Sequence, residues 1–425
     1  MTLHKQAASL MILHAADVLQ PLLILPYAGR VLGPSAFGQY AYTLALVQLA
    51  NVVVDYGFYM TARRAAASVR DNPAAIRSLL AEVVAAKGVL CVAVALGASV
   101  IMGISEAIGP SVFLCILLAT LGATFFPSWL FMALERPWQS AICVVTARFL
   151  ALIAFFSLVK NPSQVDLASA IQASIPLVAA VVSLPFVLAI GLGGFKALRL
   201  GGVARQLKDG WRGFVSSLGV TAAIALPVPL VQHFSGFVAA GQYSIAEKLI
   251  SAVRPVFRVI SETLMPRVAY LAAHDPAKGL TLIWNSLWTL VVGGLLSLAL
   301  YFLGPHVIIL LFGSEFSGAI PLVHILYITP ILLNISLCMS QLYMFNYGHE
   351  RAWTALIVSG VITFLATSYL LSYWLDGATA VAIGFVAGEG LVAVISTGFF
   401  AISIIARNRS ARISGTTDGS RAADA

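Results

Sequence analysis

The sequence predicts an all-α membrane protein of about twelve transmembrane helices, arranged as two six-helix lobes with a central cavity. Of its 425 residues, 60% are hydrophobic and only 10% are charged, whereas a soluble domain carries about 25% charged residues. The apolar runs extend over roughly 20 residues, the length of a membrane-spanning helix and about twice that of a transmembrane β-strand. An internal repeat of the sequence predicts the two lobes.

The spans follow one another with short connections. We expect them near residues 7–27, 37–59, 79–103, 111–134, 139–159, 165–190, 213–233, 242–266, 281–303, 318–344, 352–374 and 378–405. Most of the 25 Lys and Arg residues fall in alternate connections, and only Arg30 and Lys160 fall in the others. Because basic residues mark the cytoplasmic side, both termini are expected in the cytoplasm.

Two short motifs recur in the same order in each half. GPSAFGQY at 33–40 resembles GFVAAGQY at 236–243, and ERPW at 135–138 resembles ERAW at 350–353. An even number of spans between the copies keeps both halves in one orientation, with a cavity between them. We therefore expect four parts: an N-terminal lobe (1–190), a basic cytoplasmic linker (191–212), a C-terminal lobe (213–405) and a disordered cytoplasmic tail (406–425).

The eighth span, 242–266, carries charges that lipid cannot solvate. At 3.6 residues per turn one narrow stripe forms, with Lys248 at its edge: Glu247, Ser251, Arg254, Arg258 and Glu262. Burying a cation at a helix centre costs at least about 2.5–3.5 kcal/mol, so we expect the stripe to line a polar cavity. The alternative is a helix that neutralises itself through an Arg258–Glu262 pair, which leaves Arg254 without a partner. Three cations against two anions favour an anionic ligand.

Polar residues in other spans are further candidates for the cavity. The second span carries four at helical spacing: Gln48, Asn51, Asp55 and Tyr59. The repeat maps Asp55 onto Arg258, so the two could pair across the cavity, or Asp55 could bind a coupling ion. A polar clasp between helices is an equally weighted alternative. Arg148 in the fifth span is a second cationic candidate, and Lys87 is expected to reach the membrane interface.

Three acidic residues within spans could exchange a proton, since a low-dielectric site favours the neutral carboxyl. They are Asp17, Asp55 and Glu389. For Asp17 we favour a self-satisfied pair with His14, three residues earlier, over a proton relay. For Glu389 we favour close helix packing at its flanking glycines, Gly388 and Gly390.

The sequence gives no sign of a cofactor, a metal site or an enzyme. The four cysteines lie in apolar runs without CxxC spacing. No Walker P-loop is present, and neither is a DxD motif. The net charge of +8 is explained by the cytoplasmic connections, so nucleic acid is not expected as a partner.

Several motifs together resemble a family. LPYAGRVLG followed by GPSAFGQY, and GQYSIAEKLISAV followed by LMPRVA, resemble bacterial O-antigen and exopolysaccharide flippases of the multidrug/oligosaccharidyl-lipid/polysaccharide exporter superfamily. The resemblance extends to about Arg407. It implies a protein of the bacterial inner membrane that moves undecaprenyl-diphosphate-linked oligosaccharide between leaflets, with cationic cavity residues. Arg254, Arg258, Lys248 and Arg148 would then hold the diphosphate.

The resemblance also implies partner molecules and leaves alternative functions to consider. A polysaccharide polymerase and chain-length proteins are the candidate partner proteins, beside the lipid bilayer and the lipid-linked glycan. A drug or cation antiporter of the same superfamily is an alternative, although it would favour an acidic cavity. A peptidoglycan-precursor flippase is another, although those relatives usually have fourteen spans. A scaffold without transport activity stays open as well.

Overall fold

The chain is helical almost throughout. The computed structural model describes the backbone of residues 3–104, 108–189 and 200–421, and this part contains no strand. Its α-helices are α1 (Leu3–Asp55), α2 (Phe58–Ser68), α3 (Pro73–Ile104), α4 (Pro110–Phe125), α5 (Ser128–Ala133), α6 (Pro137–Leu158), α7 (Val165–Ala173), α8 (Ile175–Ala189), α9 (Leu200–Ala225), α10 (Pro227–Ser251), α11 (Arg254–His274), α12 (Pro276–Asn285), α13 (Thr289–Phe312), α14 (Ala319–Leu326), α15 (Thr329–Ser336), α16 (Glu350–Leu371) and α17 (Gly377–Arg421). A π-helix, Leu337–Phe345, follows α15.

The helix lengths confirm a polytopic membrane protein. Within the described residues, 10 segments are long and apolar enough to cross a membrane. Two of them, Leu19–Ser68 with 50 residues and Gly213–Ser251 with 39, have enough length for two crossings each at about 20 residues per crossing. The described helices therefore accommodate the twelve predicted spans.

Two glycines at equivalent places of the repeat bend the long helices in the same way. Gly33 in α1 has φ 69° and ψ 174°, and Gly236 in α10 has φ 78° and ψ −177°. Only glycine adopts a positive φ without a steric cost, so both positions need it. The same backbone conformation at both positions supports the duplication that the motifs predict.

The two copies of the repeat also lie against each other. A Cβ atom at Gly38 would lie 1.8 Å from the carbonyl oxygen of Phe237, and one at Gly241 would lie 2.2 Å from the carbonyl oxygen of Pro34. Each backbone thus occupies the space that a side chain of the other copy would need. α1 and α10 approach each other here more closely than any residue but glycine permits.

By the density of its contacts the chain divides into two compact units. The first is Met1–Gln242 with Leu311–Glu315, and the second is Tyr243–Leu310 with Phe316–Ala425. The lobe boundary at residue 213 stays a prediction. Of the predicted linker, residues 191–199 lie outside the described part and 200–212 begin α9; the predicted tail is described as far as Arg421, as the end of α17.

Each unit has its own buried apolar clusters. In the first unit one cluster joins α2, α3 and α5 through Phe58, Leu79 and Trp129, and another joins α1, α3, α4 and α7. In the second unit, Val268 of α11 and Leu342 of the π-helix lie in a cluster shared with α12, α16 and α17. These clusters fix the helices that carry the polar residues described next.

Candidate functional site

A helix break lies in the middle of the charged stripe. We expected one continuous span over 242–266, and this is wrong, because α10 ends at Ser251 and α11 begins at Arg254. Pro255 at the second position of α11 explains the break, since proline favours a helix start and its ring excludes a helical carbonyl four residues earlier. Glu247 and Ser251 therefore lie on one helix and Arg254 on the next.

Glu247 is the centre of a polar cluster at this break. It is only 5% exposed. Its carboxylate accepts hydrogen bonds from Lys248 Nζ at 2.8 Å and from the Ser251 hydroxyl. The Arg254 Nη2 atom lies 4.0 Å from Glu247 Oε1, which is an ion pair too long for a hydrogen bond. The Lys248 and Ser251 hydrogen bonds hold this carboxylate in place beside the Arg254 guanidinium.

Arg254 has donors that no described residue uses. Its side chain is 24% exposed, yet its Nε atom is buried and has no hydrogen-bond partner among the residues that the structure describes. The guanidinium carbon lies 5.9 Å from the ring centroid of Phe385 on α17, at the outer limit of a cation–π contact. A buried donor without a partner costs about 1–3 kcal/mol, which makes Arg254 a candidate for binding a ligand.

Glu389 completes the cluster from α17. It lies one helical turn after Phe385, is half-buried, and makes no hydrogen bond or ion pair with the described part of the chain. Phe385, whose ring lies 5.9 Å from the Arg254 guanidinium carbon, shares a face of α17 with Glu389, because residues four apart on a helix are neighbours. The described side chains of the cluster therefore comprise two carboxylates and two cations, so their formal charges cancel. The stripe in the sequence had three cations against two anions.

Arg258 and Glu262 follow Arg254 at four-residue intervals on α11. Their side chains, like those of His14 and Asp17 on α1, lie outside the described residues. The predicted roles of Arg258, Glu262 and Asp17 stay predictions. α11 also begins with the partial positive charge of a helix N-terminus, which adds to that of Arg254.

The polar residues of the second span are divided by another break. α1 ends at Asp55, and Tyr56 and Gly57 follow with φ of 42° and 76°. Tyr59 therefore belongs to α2, where its ring lies under Arg63. On α1, Gln48 is exposed, while the Asn51 Oδ1 atom is buried without a hydrogen-bond partner among the described residues.

Asp55 pairs with a buried lysine. Lys87 of α3 is 4% exposed, and its Nζ atom donates to Asp55 Oδ1 at 2.7 Å and to the carbonyl oxygen of Ala123 at 2.9 Å. The expectation that Lys87 reaches the interface is wrong, since α3 turns its side chain towards the ends of α1 and α4. This pairing was missed because 32 residues separate the partners; a lysine well inside an apolar run was the only signal.

Arg148 belongs to a polar cluster inside the first unit. Its Nη1 atom donates to Gln20 Oε1 at 2.9 Å and to the carbonyl oxygen of Ala16 at 3.3 Å. Gln20 in turn donates to Gln172 Oε1 at 3.3 Å. α1, α6 and α7 are thus linked by side chains that apolar packing alone would not select.

Solved structures with a similar fold are transporters. A multidrug resistance MATE family transporter of the MOP superfamily in its inward-facing conformation matches with a TM-score of 0.71 at 13% identity, over 94% of this chain and 99% of that chain. An outward-facing structure of such a transporter matches with a TM-score of 0.58 at 17% identity, over 94% of each chain. The chain is a multi-pass membrane protein with a MATE-like fold.

The chain belongs to the polysaccharide biosynthesis protein family, whose pattern it matches over residues 3–272. Two relatives carry the curated name "Putative O-antigen transporter". The Shigella dysenteriae protein is 25% identical over 371 residues, which cover 87% of this chain and 93% of that protein. The Escherichia coli (strain K12) protein is 26% identical over 370 residues, which cover 86% and 89%.

Proposed function

We propose that this protein is a flippase. It moves undecaprenyl-diphosphate-linked oligosaccharide repeat units from the cytoplasmic to the periplasmic leaflet of the bacterial inner membrane, for surface or exopolysaccharide biosynthesis. The family, the names of its two relatives and the MATE-like fold support this class of activity. The observation that carries the proposal is the buried Arg254 Nε donor at the start of α11, which makes no hydrogen bond to any described residue.

A lipid diphosphate matches those donors. A guanidinium binds phosphate through two parallel, charge-assisted hydrogen bonds. At about 4 Å and an effective dielectric near 20, one such pair has a Coulomb term of roughly 4 kcal/mol before desolvation. Arg258 is expected to hold the second phosphate from the next turn of α11, with Lys248 near the cluster. Arg148 is the corresponding candidate in the first unit.

The acidic members of the cluster suit a site that must also release its ligand. Glu247 lies 4.0 Å from Arg254, and it competes with phosphate for the same guanidinium. A transporter that bound its cargo too tightly would turn over slowly, because a more stable bound complex has a higher free-energy barrier to release. We propose that Glu247 limits the affinity, so that a diphosphate displaces it on entry and is displaced by it on exit.

The transport cycle is proposed to be alternating access coupled to an ion. Two six-helix lobes would rock about a central cavity that holds the glycan, while the polyprenyl tail stays in lipid. Asp17, Asp55 and Glu389 are the candidate ion carriers. Gln48, Asn51 and Tyr59 are the proposed polar lining of the cavity in the first half of the chain, and Ser251, Glu247 and Glu262 in the second.

The test is a clean deletion in the source bacterium, without a redundant relative. Lipid-linked repeat units should accumulate facing the cytoplasm, and surface or secreted polysaccharide should be lost. Labelling of the glycan with a membrane-impermeant reagent, before and after the inner membrane is opened, measures its leaflet. Normal delivery to the periplasmic leaflet in the deletion strain would reject the proposal. A polymerase and chain-length proteins would act on the delivered product.

A drug or cation antiporter is the second candidate, favoured by one observation. Glu389 is a half-buried carboxylate without a hydrogen-bond partner in the described part of the chain, and such a group could hold an organic cation. Export of a fluorescent cation in inverted vesicles separates the two functions. Cation export that is lost in Glu389→Gln, together with normal glycan delivery in the deletion strain, would favour the antiporter. A peptidoglycan-precursor flippase is less favoured, because the described helices accommodate the twelve predicted spans and the resemblance implies fourteen for such relatives.

A further inference from the structure

The first unit contains an apolar cavity that the proposed transport site does not use. It has a volume of about 430 Å³ and lies between α3, α8 and the connection from α4 to α5. Leu80 and Val84 line it from α3, and Leu177, Val181 and Leu184 line it from α8. Its volume is within the range of about 300–1,000 Å³ of sites that hold one small molecule.

The cavity is open towards the membrane. Val181 and Leu184 are exposed, and so is Phe125 at the end of α4. These residues lie in segments that are long and apolar enough to span a bilayer, so their exposed surface contacts hydrocarbon. An apolar cavity of this kind is not stably filled by water. A hydrocarbon chain entering sideways from the bilayer is the occupant that its lining fits.

Arg77 supplies a charged group at the same cavity. Its Nε atom donates to the carbonyl oxygen of Pro73 at 3.3 Å. Its two terminal nitrogens have no hydrogen-bond or ion-pair partner among the described residues. Ser183, the other polar lining residue, donates a hydrogen bond from its hydroxyl to the carbonyl oxygen of Ala180. The cavity thus joins an apolar chamber to one guanidinium whose terminal donors bind no described residue, and this combination matches a phosphate attached to a hydrocarbon chain.

The surroundings favour an anionic headgroup as well. Leu80 and Val187 line the cavity and also pack against the apolar cluster that joins α2, α3 and α5. Exposed basic residues lie on α2 and on α9, which packs against the same cluster: Arg63, Arg64, Arg205 and Lys208. Basic groups next to a membrane surface attract anionic lipids. Arg70 is excluded from this set, because it pairs with Glu135 at 2.8 Å.

We propose that this cavity is a binding site for one anionic phospholipid. An acyl chain of phosphatidylglycerol lies in the cavity between α3 and α8, and Arg77 binds the headgroup phosphate. The site does not depend on the proposed cargo, since a resident phospholipid of the bilayer provides both parts. Bound in this way, the lipid joins α3 to α8 on the side of the unit where their own side chains leave a gap.

The experiment uses the full chain in nanodiscs of phosphatidylethanolamine. Phosphatidylglycerol with a photoreactive group at the end of one acyl chain is added in trace amounts, and labelled peptides are identified after irradiation. Labelling is expected on residues 80–84 and 177–188. An excess of unlabelled phosphatidylglycerol should compete at least about fivefold better than phosphatidylcholine, because the zwitterionic headgroup loses the net attraction to Arg77 and its basic surroundings.

Two variants and one control make the test specific. Arg77→Gln should lower labelling about fivefold, and Leu184→Trp should abolish it by filling the cavity. Arg63→Gln removes a basic residue of the same surface that does not line the cavity, and it should lower labelling much less than Arg77→Gln does. Equal labelling of Arg77→Gln and Arg63→Gln, or equal competition by the two phospholipids, would overturn the proposal. Undecaprenyl phosphate that displaces the probe better than phosphatidylglycerol would overturn the assignment to a phospholipid.

Discussion

Gly38 and Gly241 occupy equivalent positions in the two copies of a repeated motif, and each lies against the backbone of the other copy. A Cβ atom at Gly38 would lie 2.9 Å from the Gly241 nitrogen, and one at Gly241 would lie 3.0 Å from the Gly38 nitrogen. The contact is therefore reciprocal, as expected when a duplicated element packs against its own copy about a pseudo-twofold axis. It holds α1 against α10 near the two glycine bends.

Alanine at Gly38 or Gly241 should destabilise the protein by at least about 3 kcal/mol, because the added Cβ overlaps backbone atoms that cannot move aside. Gly97→Ala is the matched control, since nothing lies within 4 Å of its Cβ position and alanine favours a helix interior by about 1 kcal/mol. Thermal unfolding of purified protein in detergent measures the difference. An unchanged midpoint in Gly38→Ala would show that the two copies do not touch.

Asp55→Asn should destabilise the protein by about 1.5–3 kcal/mol, because it removes the charged hydrogen-bond partner of buried Lys87. The double variant Asp55→Asn/Lys87→Met should recover most of this loss, since it leaves no buried charge without a partner. Unfolding midpoints in detergent report both values. Equal stability of Asp55→Asn and the parent would contradict the pairing.

The same double variant separates the two interpretations of Asp55. If Asp55 only clasps α1 to α3, the double variant should transport normally once its stability is restored. If Asp55 also carries a coupling ion, the double variant should be stable and still fail to transport. Flipping normalised to the amount of protein in the membrane is the measurement.

Arg254→Ala should lower flipping at least about tenfold while expression persists, since the diphosphate loses a bidentate partner. Arg254→Lys should keep part of the activity. The positive charge remains, but the planar guanidinium that makes two parallel hydrogen bonds is lost. Arg258→Ala should also be harmful. Lys278→Ala is the control: this lysine is exposed and pairs with Asp275 at 2.9 Å, and an ion pair screened by solvent contributes little to stability.

Normal transport in both Arg254→Ala and the double variant Arg254→Ala/Arg258→Ala would show that the diphosphate does not bind at this site. Polysaccharide output per membrane-inserted protein is sufficient for that comparison. An outcome in which Lys278→Ala loses as much activity as Arg254→Ala would show that the effect is not specific to the cluster.

Glu389→Gln should remove the pH dependence of flipping if Glu389 exchanges the coupling proton, because the amide cannot titrate. Asp17→Asn and Asp55→Asn test the other two candidates in the same way. Flipping in vesicles is measured at several external pH values with the internal pH fixed. Parent-like pH profiles in all three variants would place the coupling group elsewhere.

The orientation of the helices is tested with reporter fusions. A fusion after Ser163 should be active only as a periplasmic reporter, and one after Leu200 only as a cytoplasmic reporter, as the distribution of basic residues predicts. Alkaline phosphatase and a fluorescent protein are suitable as the two reporters. The opposite result at both positions would invert the topology and the direction of transport that we propose.

The class of the fold could be predicted from the sequence because it depends on local properties. Apolar runs of about 20 residues can be satisfied in a bilayer only by helices that bond their own backbone, and no tertiary contact is needed to recognise them. The first glycine of each GxxxxGQY motif, Gly33 or Gly236, lies where α1 or α10 bends, because glycine adopts a positive φ without a steric cost. Pro255 was a local signal too, and it accounts for the break between α10 and α11.

The partners of the polar residues were decided only by the tertiary structure. Asp55 contacts Lys87, and Arg148 contacts Gln20, across separations of 32 and 128 residues. Such contacts depend on which helices are neighbours and on the rotation of each about its axis, and a sequence pattern fixes only the residues that share a face. The sequence therefore identified Glu247, Arg254 and Glu389 as polar residues that need an explanation. Their grouping at one helix break depends on α17, whose Phe385 ring lies 5.9 Å from the Arg254 guanidinium carbon.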